Sequence, residues 1–334
     1  WLYGLGVGLR NFLFNQGILK QQSYPIPLIC VGNIPVGGTG KTPHVELLIS
    51  ILRKQYRIAV ISRGYKRKSR GLKEVTLTST AEEVGDEPKQ IKQKYPEVRF
   101  VVDGNRRRAM RYLLALPEEE RPEVVLLDDG FQHRYVQPSF NILLIDAQRE
   151  LHDDELLPLG GLREPATARY RADCIILTKC PHDMQPIKLR IMQRNLDLYA
   201  HQEIFFSRIH YQQPRAVRTL LGEAGSPLPK DALVIALSGI ASPGLFFSFL
   251  AERYELIDQL VYPDHHQFRR KDFTAISERW QELCEQHSGR PVYIVCTEKD
   301  AVRFTDSLGE LPEELVKQLY FLPIETQILY KPQE

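Results

Sequence analysis

The chain predicts an α/β protein, a doubly wound and mostly parallel sheet followed by a second, smaller α/β domain. Three observations carry this. Apolar strand-like runs at 28–32, 58–62, 99–102, 124–128, 142–146 and 174–178 are separated by stretches long enough for crossover helices. Several of these runs are unbroken Val, Ile and Leu, as strands covered on both faces are. The first run passes through a glycine-rich turn directly into a helical pattern, the order of a phosphate-binding βα unit.

Taken in order, residues 1–19 read WLYGLGVGLRNFLFNQGIL, with Arg10 the one charge before Lys20. The segment is too glycine-rich, and too polar after Arg10, for a span of about 20 apolar residues. It lacks the basic head and small-residue cleavage site of a signal peptide. Trp1, Leu2, Leu5, Leu9, Phe12 and Leu13 fall near one helical face. Two readings stay open here: a helix packed on the body, or an interfacial membrane helix with Arg10 and Lys20 at the headgroups.

Residues 28–43, LICVGNIPVGGTGKTP, build a nucleoside triphosphate cradle. The backbone of Val36, Gly37, Gly38, Thr39 and Gly40 can approach phosphates closely, Lys41 reaches the β/γ oxygens, and Thr42 offers a hydroxyl to Mg²⁺. Pro43 is tolerated in a first helical turn, and Val45, Leu47, Leu48, Ile51 and Leu52 give that helix a face to bury. The generic P-loop pattern begins with Gly where this chain has Pro35. A second phosphate-site element is 124–134, VVLLDDGFQHR. A strand ending in Asp is the usual partner of a P-loop, so Asp128 and Asp129 are candidate Mg²⁺ carboxylates. Weaker alone are VGDEP at 84–88, ISRGYKR at 61–67, LREP at 162–165 and YPDHHQF at 262–268. Adjacent histidines diverge on extended backbone, so His265 and His266 make a poor zinc site and a single active-site His is the better reading.

After the sixth strand, the polar, Pro-containing stretch 211–231 reads as a connection between domains. Strands at 233–237, 256–261 and 292–296 and helices at 243–254 and 271–287 follow. The expected organisation is an N-terminal helix at 1–24, a P-loop core at 25–210, a linker at 211–231 and the smaller domain at 232–334. At 334 residues, 43% hydrophobic and 26% charged, the chain has the composition of an ordinary globular protein. Its net charge of +2 gives no electrostatic case for nucleic acid. Five cysteines without a Cys-x-x-Cys pair favour a reducing cytoplasm over a disulfide framework.

Together VGN, VGGTGKTP, SRGYKR, VGDEP, LLDDGFQHR, LREP, LTK, PDHH and TEKD resemble the tetraacyldisaccharide 4′-kinases of lipid A biosynthesis, over nearly the whole chain. That family does not require Gly at the place of Pro35. The resemblance implies a P-loop-type fold and transfer of the ATP γ-phosphoryl to the 4′-hydroxyl of an acylated glucosamine disaccharide 1-phosphate, with Mg²⁺. It implies a peripheral or monotopic protein at the cytoplasmic face of a Gram-negative inner membrane, and so favours the interfacial reading of 1–19. No obligate protein partner is implied.

The resemblance also assigns roles. Asp86 would be the catalytic base, Glu87 would lie at the Mg²⁺, and His265 would support the base. Ser62, Arg63, Arg106, Arg163 and Glu164 would surround nucleotide and substrate. Asn105 stands where family members often have Asp, which questions any role of that side chain. An aspartate of pKa about 4 is a weak base, so a His able to share its proton is useful. Asp86 and His265 fall in different expected domains, which predicts closure over bound substrates and protection against wasted ATP. The competing reading is a P-loop NTPase switch or assembly factor, which needs the cradle and Asp128/Asp129 but no base on a separate segment.

Overall fold

The computed structural model describes residues 2–149, 151, 154–181, 184–264 and 266–329. Its strands are β1 (Leu28–Asn33), β2 (Ile58–Ser62), β3 (Lys73–Val75), β4 (Arg99–Val102), β5 (Val124–Asp128), β6 (Phe140–Asp146), β7 (Cys174–Thr178), β8 (Glu203–Tyr211), β9 (Arg215–Ala216), β10 (Leu233–Ser238), β11 (Glu255–Val261), β12 (Val292–Thr297), β13 (Leu319–Leu322) and β14 (Ile324–Leu329). Its α-helices are α1 (Leu2–Asn15), α2 (Lys41–Leu52), α3 (Ala81–Val84), α4 (Asp86–Lys94), α5 (Arg106–Leu114), α6 (Pro186–Asn195), α7 (Gly244–Ala251), α8 (Arg270–Gln286), α9 (Glu298–Phe304) and α10 (Glu313–Lys317).

The chain divides into two compact units, 2–79 with 83–210 and 326–329, and 80–82 with 211–325. A nine-stranded sheet ordered β14-β8-β7-β6-β1-β5-β2-β4-β3 builds the first. From β8 to β4 every neighbouring pair is parallel, and β3 joins β4 antiparallel. Both faces are covered, which is why these strands tolerate no polar alternation. Val31, Val60 and Leu126 face Val45 and Ile49 of α2, while Cys30, Ile61 and Leu127 face Ala109, Met110 and Leu113 of α5. β1 lies between β5 and β6, so the chain winds first to one side of it and later to the other. The crevice beyond the carboxyl ends of such strands is where ligands bind in open α/β sheets.

The second unit has a sheet ordered β11-β10-β12-β13-β9, parallel through β13, with β9 antiparallel. Part of the stretch expected as a linker is therefore structured. β9 pairs Ala216 with Tyr320, and Val217 is fully buried beneath it. The TEKD motif has a packing role here. Asp300, fully buried, accepts from Gly239 N at 2.8 Å, Thr297 Oγ1 at 2.6 Å and Arg303 Nη1 at 2.7 Å. Buried polar atoms are held in place by such hydrogen bonds.

α1 is tied to its unit on one side and bare on the other. Phe14 is buried, and the Arg134 guanidinium lies 4.9 Å from its ring centroid. Leu2, Leu5, Leu9 and Phe12 are exposed at 88%, 67%, 61% and 55%. Trp1, expected on the same face, lies outside the described residues. Arg10, expected at headgroups, instead bonds Glu164 at 3.2 Å and the Gln132 carbonyl at 3.1 Å. A buried carboxylate outcompetes solvent for it. Lys20 is exposed. Among the described residues, no helix is long and apolar enough to cross a membrane.

Candidate active site

The site collects at the carboxyl ends of β1, β5, β2 and β4. Parallel register pairs Val31 with Asp128 and Ser62 with Val102, which brings the glycine-rich loop, the double aspartate and the SRG turn to one edge. Pro35 fits because its neighbours make the local bonds. Arg163 N donates to Ile34 O at 2.9 Å and Val36 N to Gly161 O at 2.7 Å, so the LREP segment runs antiparallel along the loop.

Buried Asn33 is a centre that motif reading passed over. Its amide donates to Pro35 O at 2.8 Å, and its Oδ1 accepts from Lys41 Nζ at 3.3 Å and from Arg163. Arg163 grips Asp129 with both arms, Nη1 to Oδ2 at 3.1 Å and Nη2 to Oδ1 at 2.9 Å, and Lys41 Nζ lies 3.8 Å from the same carboxylate. Burial works against ionisation of Asp129, but Lys41, Arg163 and Arg106 overcome it and hold its pKa below the usual carboxylate value.

Asp128, one residue earlier, has the opposite character. Burial, then repulsion from Glu87 and Asp129, pushes it up to about 7, against Lys41 and a hydrogen bond from Ser62. Its Oδ1 is buried without a hydrogen-bond partner. A carboxylate crowded by two others, with one oxygen unmet, has room for a positive partner. The donor set of Asp128, Glu87 and the Thr42 hydroxyl is all oxygen and suits Mg²⁺. Among the described residues no group of three acidic, His or Cys side chains converges on one point. Asp129 lies against Lys41 and Arg163.

Asp86 and Glu87 open α4, where a helix N-terminus favours negative charge. Gly64 (φ 67°) and Gly85 (φ 98°) let the SRG and VGDE turns touch; a Cβ on Gly85 would lie 3.1 Å from Tyr65 O, and one on Gly64 2.8 Å from Val84 O. That approach sets Asp86 beside the SRG turn. Arg63 is exposed, whereas Arg106 is buried, with Nε unpaired and Nη1 3.3 Å from the carbonyls of Asp103 and Gly104. Asn105 caps α5 by accepting from Arg108 N at 3.2 Å, a service Asn performs as well as Asp. His133 is held neutral, its pKa pushed down to about 4 by burial and by Arg106, Arg107, Arg10 and Arg63. These four guanidiniums give this edge a cationic field.

Glu164 departs from its expected place against nucleotide or substrate. Its side chain has no exposed surface, and its oxygens accept from Arg10 at 3.2 Å and Arg171 at 2.6 Å. It anchors α1. His265 lies outside the described residues.

A family model described as tetraacyldisaccharide-1-P 4′-kinase matches residues 1–334. Similar curated proteins include the tetraacyldisaccharide 4′-kinase of Porphyromonas gingivalis, 48% identical over 329 residues, which are 98% of this chain and 91% of that protein. That of Flavobacterium johnsoniae is 41% identical over 98% of this chain and 90% of its own length. Among solved structures, LpxK from Aquifex aeolicus in complex with ATP superposes with a TM-score of 0.74 at 29% identity, covering 98% of this chain and 92% of that one. With its phosphate cradle, paired aspartates and LREP strap in one place and a match along its full length, the chain belongs to the tetraacyldisaccharide-1-P 4′-kinase family.

Proposed function

We propose that this protein transfers the γ-phosphoryl of ATP to the 4′-hydroxyl of a tetraacylated glucosamine disaccharide 1-phosphate. One observation carries the reading: a glycine-rich loop with Lys41 and Thr42 stands beside a buried Asp128 whose Oδ1 lacks a partner. Val36 to Gly40 would line the triphosphate, with Lys41 drawn from Asn33 and Asp129 toward it. Thr42, Asp128 and Glu87 would hold Mg²⁺, which neutralises charge on the phosphoryl oxygens when bound. Arg163 keeps Asp129 ionised and fixed, and Asp129 in turn places Lys41. Asp86, at the start of α4, accepts the proton of the sugar hydroxyl as oxygen bonds to phosphorus and ADP leaves, with His265 as its helper. Ser62 orients Asp128, and Arg63 and Arg106 supply positive charge for donor and acceptor phosphates.

The exposed apolar face of α1 supports a peripheral or monotopic seat at the cytoplasmic face of the inner membrane, where an acylated acceptor is reached. The test offers labelled ATP with a defined tetraacyldisaccharide 1-phosphate in mixed micelles. Label should move to the lipid, and Lys41→Ala should lose at least about 100-fold in turnover. Release of free phosphate without lipid labelling would favour an NTPase switch.

A further inference from the structure

The glycine-rich loop is held from behind by side chains that the phosphate motif does not contain. Thr178, at the end of β7, is buried and donates through Oγ1 to the Thr39 carbonyl at 2.9 Å. His44, on the first turn of α2, is buried and places Nδ1 2.7 Å from the Gly40 carbonyl. Its Nε2 lies 2.8 Å from Oγ of Ser207, a fully buried residue of β8. A carbonyl only accepts, so Nδ1 carries the ring proton and Nε2 accepts from the Ser207 hydroxyl.

In a trans peptide the carbonyl of one residue and the N–H of the next point in opposite directions. Tying back the carbonyls of Thr39 and Gly40 therefore turns the N–H groups of Gly40 and Lys41 the other way. Gly40 takes a left-handed conformation, φ 83°, to make this turn. Loop N–H groups that face one side are what an anion cradle consists of.

We propose that His44, oriented by Ser207, and Thr178 are positioning residues that set the phosphate loop for the nucleotide by fixing the carbonyls of Gly40 and Thr39. The proposal rests on the ATP-binding reading of the loop. It assigns nucleotide affinity to three residues that lie outside the motif, two of them on strands more than 130 positions downstream of it.

The two ring nitrogens can be tested apart. Asn at position 44 sets an amide near Nδ1 and keeps a donor for Gly40; Gln reaches toward Nε2 and keeps a partner for Ser207. Steady-state constants for ATP and for the lipid acceptor are measured with His44→Asn, His44→Gln, Ser207→Ala, Thr178→Val and the His44→Gln/Ser207→Ala pair, alongside thermal unfolding. His44→Gln and Thr178→Val should each raise KM for ATP about 5- to 10-fold, the scale of one lost buried hydrogen bond, with KM for the acceptor within about twofold. His44→Asn should recover most of the ATP affinity lost in His44→Gln even where both unfold at similar temperatures. Ser207→Ala should weaken ATP binding, and less than additively in the pair. A KM for ATP that tracks thermal stability alone across the set, or Asn no better than Gln, would overturn the clamp. An inactive wild-type protein that binds no ATP would instead overturn the underlying nucleotide reading.

Discussion

Replacing Glu164 by Gln separates two assignments for one residue. In the structure its carboxylate has no exposed surface and pairs with Arg10 at 3.2 Å and Arg171 at 2.6 Å, whose side chains are 37% and 26% exposed. Breaking a buried ion pair by removing one partner costs about 3–5 kcal/mol when the remaining charge stays dry. Here both arginines keep access to water, so part of that cost is recovered and a loss of about 2 kcal/mol is expected. At about 2–4 °C per kcal/mol for a unit of this size, Tm should fall by about 4–8 °C. Arg10 would lose its carboxylate tie to the body, so α1 should become a tryptic site while the rest of the chain resists. Thermal unfolding and limited proteolysis read these effects. Kinetics should show a raised KM for vesicle-borne acceptor with KM for ATP unchanged. The opposite pattern, an unchanged Tm and an uncut α1 with ATP binding lost, would refute the anchor and return Glu164 to the nucleotide.

Three further outcomes follow from the same geometry. Asp128 has a folded-state pKa raised to about 7, so between pH about 4 and about 7 the native state holds a proton the unfolded chain has released, and stability falls as pH rises through that window. In urea unfolding with EDTA, Asp128→Asn should flatten that fall while abolishing turnover; equal slopes in both proteins would count against the crowded carboxylate. Arg163→Lys should lower kcat at least about tenfold, because a point charge cannot span both oxygens of Asp129 and also reach Asn33; wild-type kcat would dismiss the strap. Deleting residues 1–19 should release the protein from anionic vesicles with little change in ATP affinity. Since Arg10 is engaged, Lys20 adds only about 1 kcal/mol, and wild-type binding should resist salt; full vesicle binding by the deletion variant would place the membrane-facing surface elsewhere.

The sequence made legible what depends on local chemistry. β2, β4, β5 and β7 have the expected bounds, because continuous apolar runs between polar turns leave little choice. β8 was not expected: EIFFSRIHY mixes charged and apolar positions, and its place in the sheet between β14 and β7 makes it a strand. β9 was hidden in a stretch whose Pro and Gly content reads as linker, and its partner β13 lies about 100 residues away. The motif residues were legible as types but not as partners. The family resemblance of LREP set Glu164 with Arg163 around nucleotide and substrate, yet adjacent side chains diverge, and Glu164 faces α1 while Arg163 faces Asp129.

The double aspartate makes the same point at the centre of the site. Two like charges in sequence should repel, and the chain resolves this through backbone. Asp129 adopts φ 49°, a left-handed conformation that Asp tolerates better than most residues. The turn parts the two carboxylates. One meets Lys41 and Arg163 and is held ionised; the other meets Ser62 and Glu87 and is left short of positive charge. Identical side chains thereby acquire opposite electrostatic surroundings, and the proposed mechanism gives them different duties, one beside the cations of the cradle and one toward a metal. A motif written DD cannot express that division, because it arises from a single dihedral angle and from partners drawn from β2, α4 and the LREP strap.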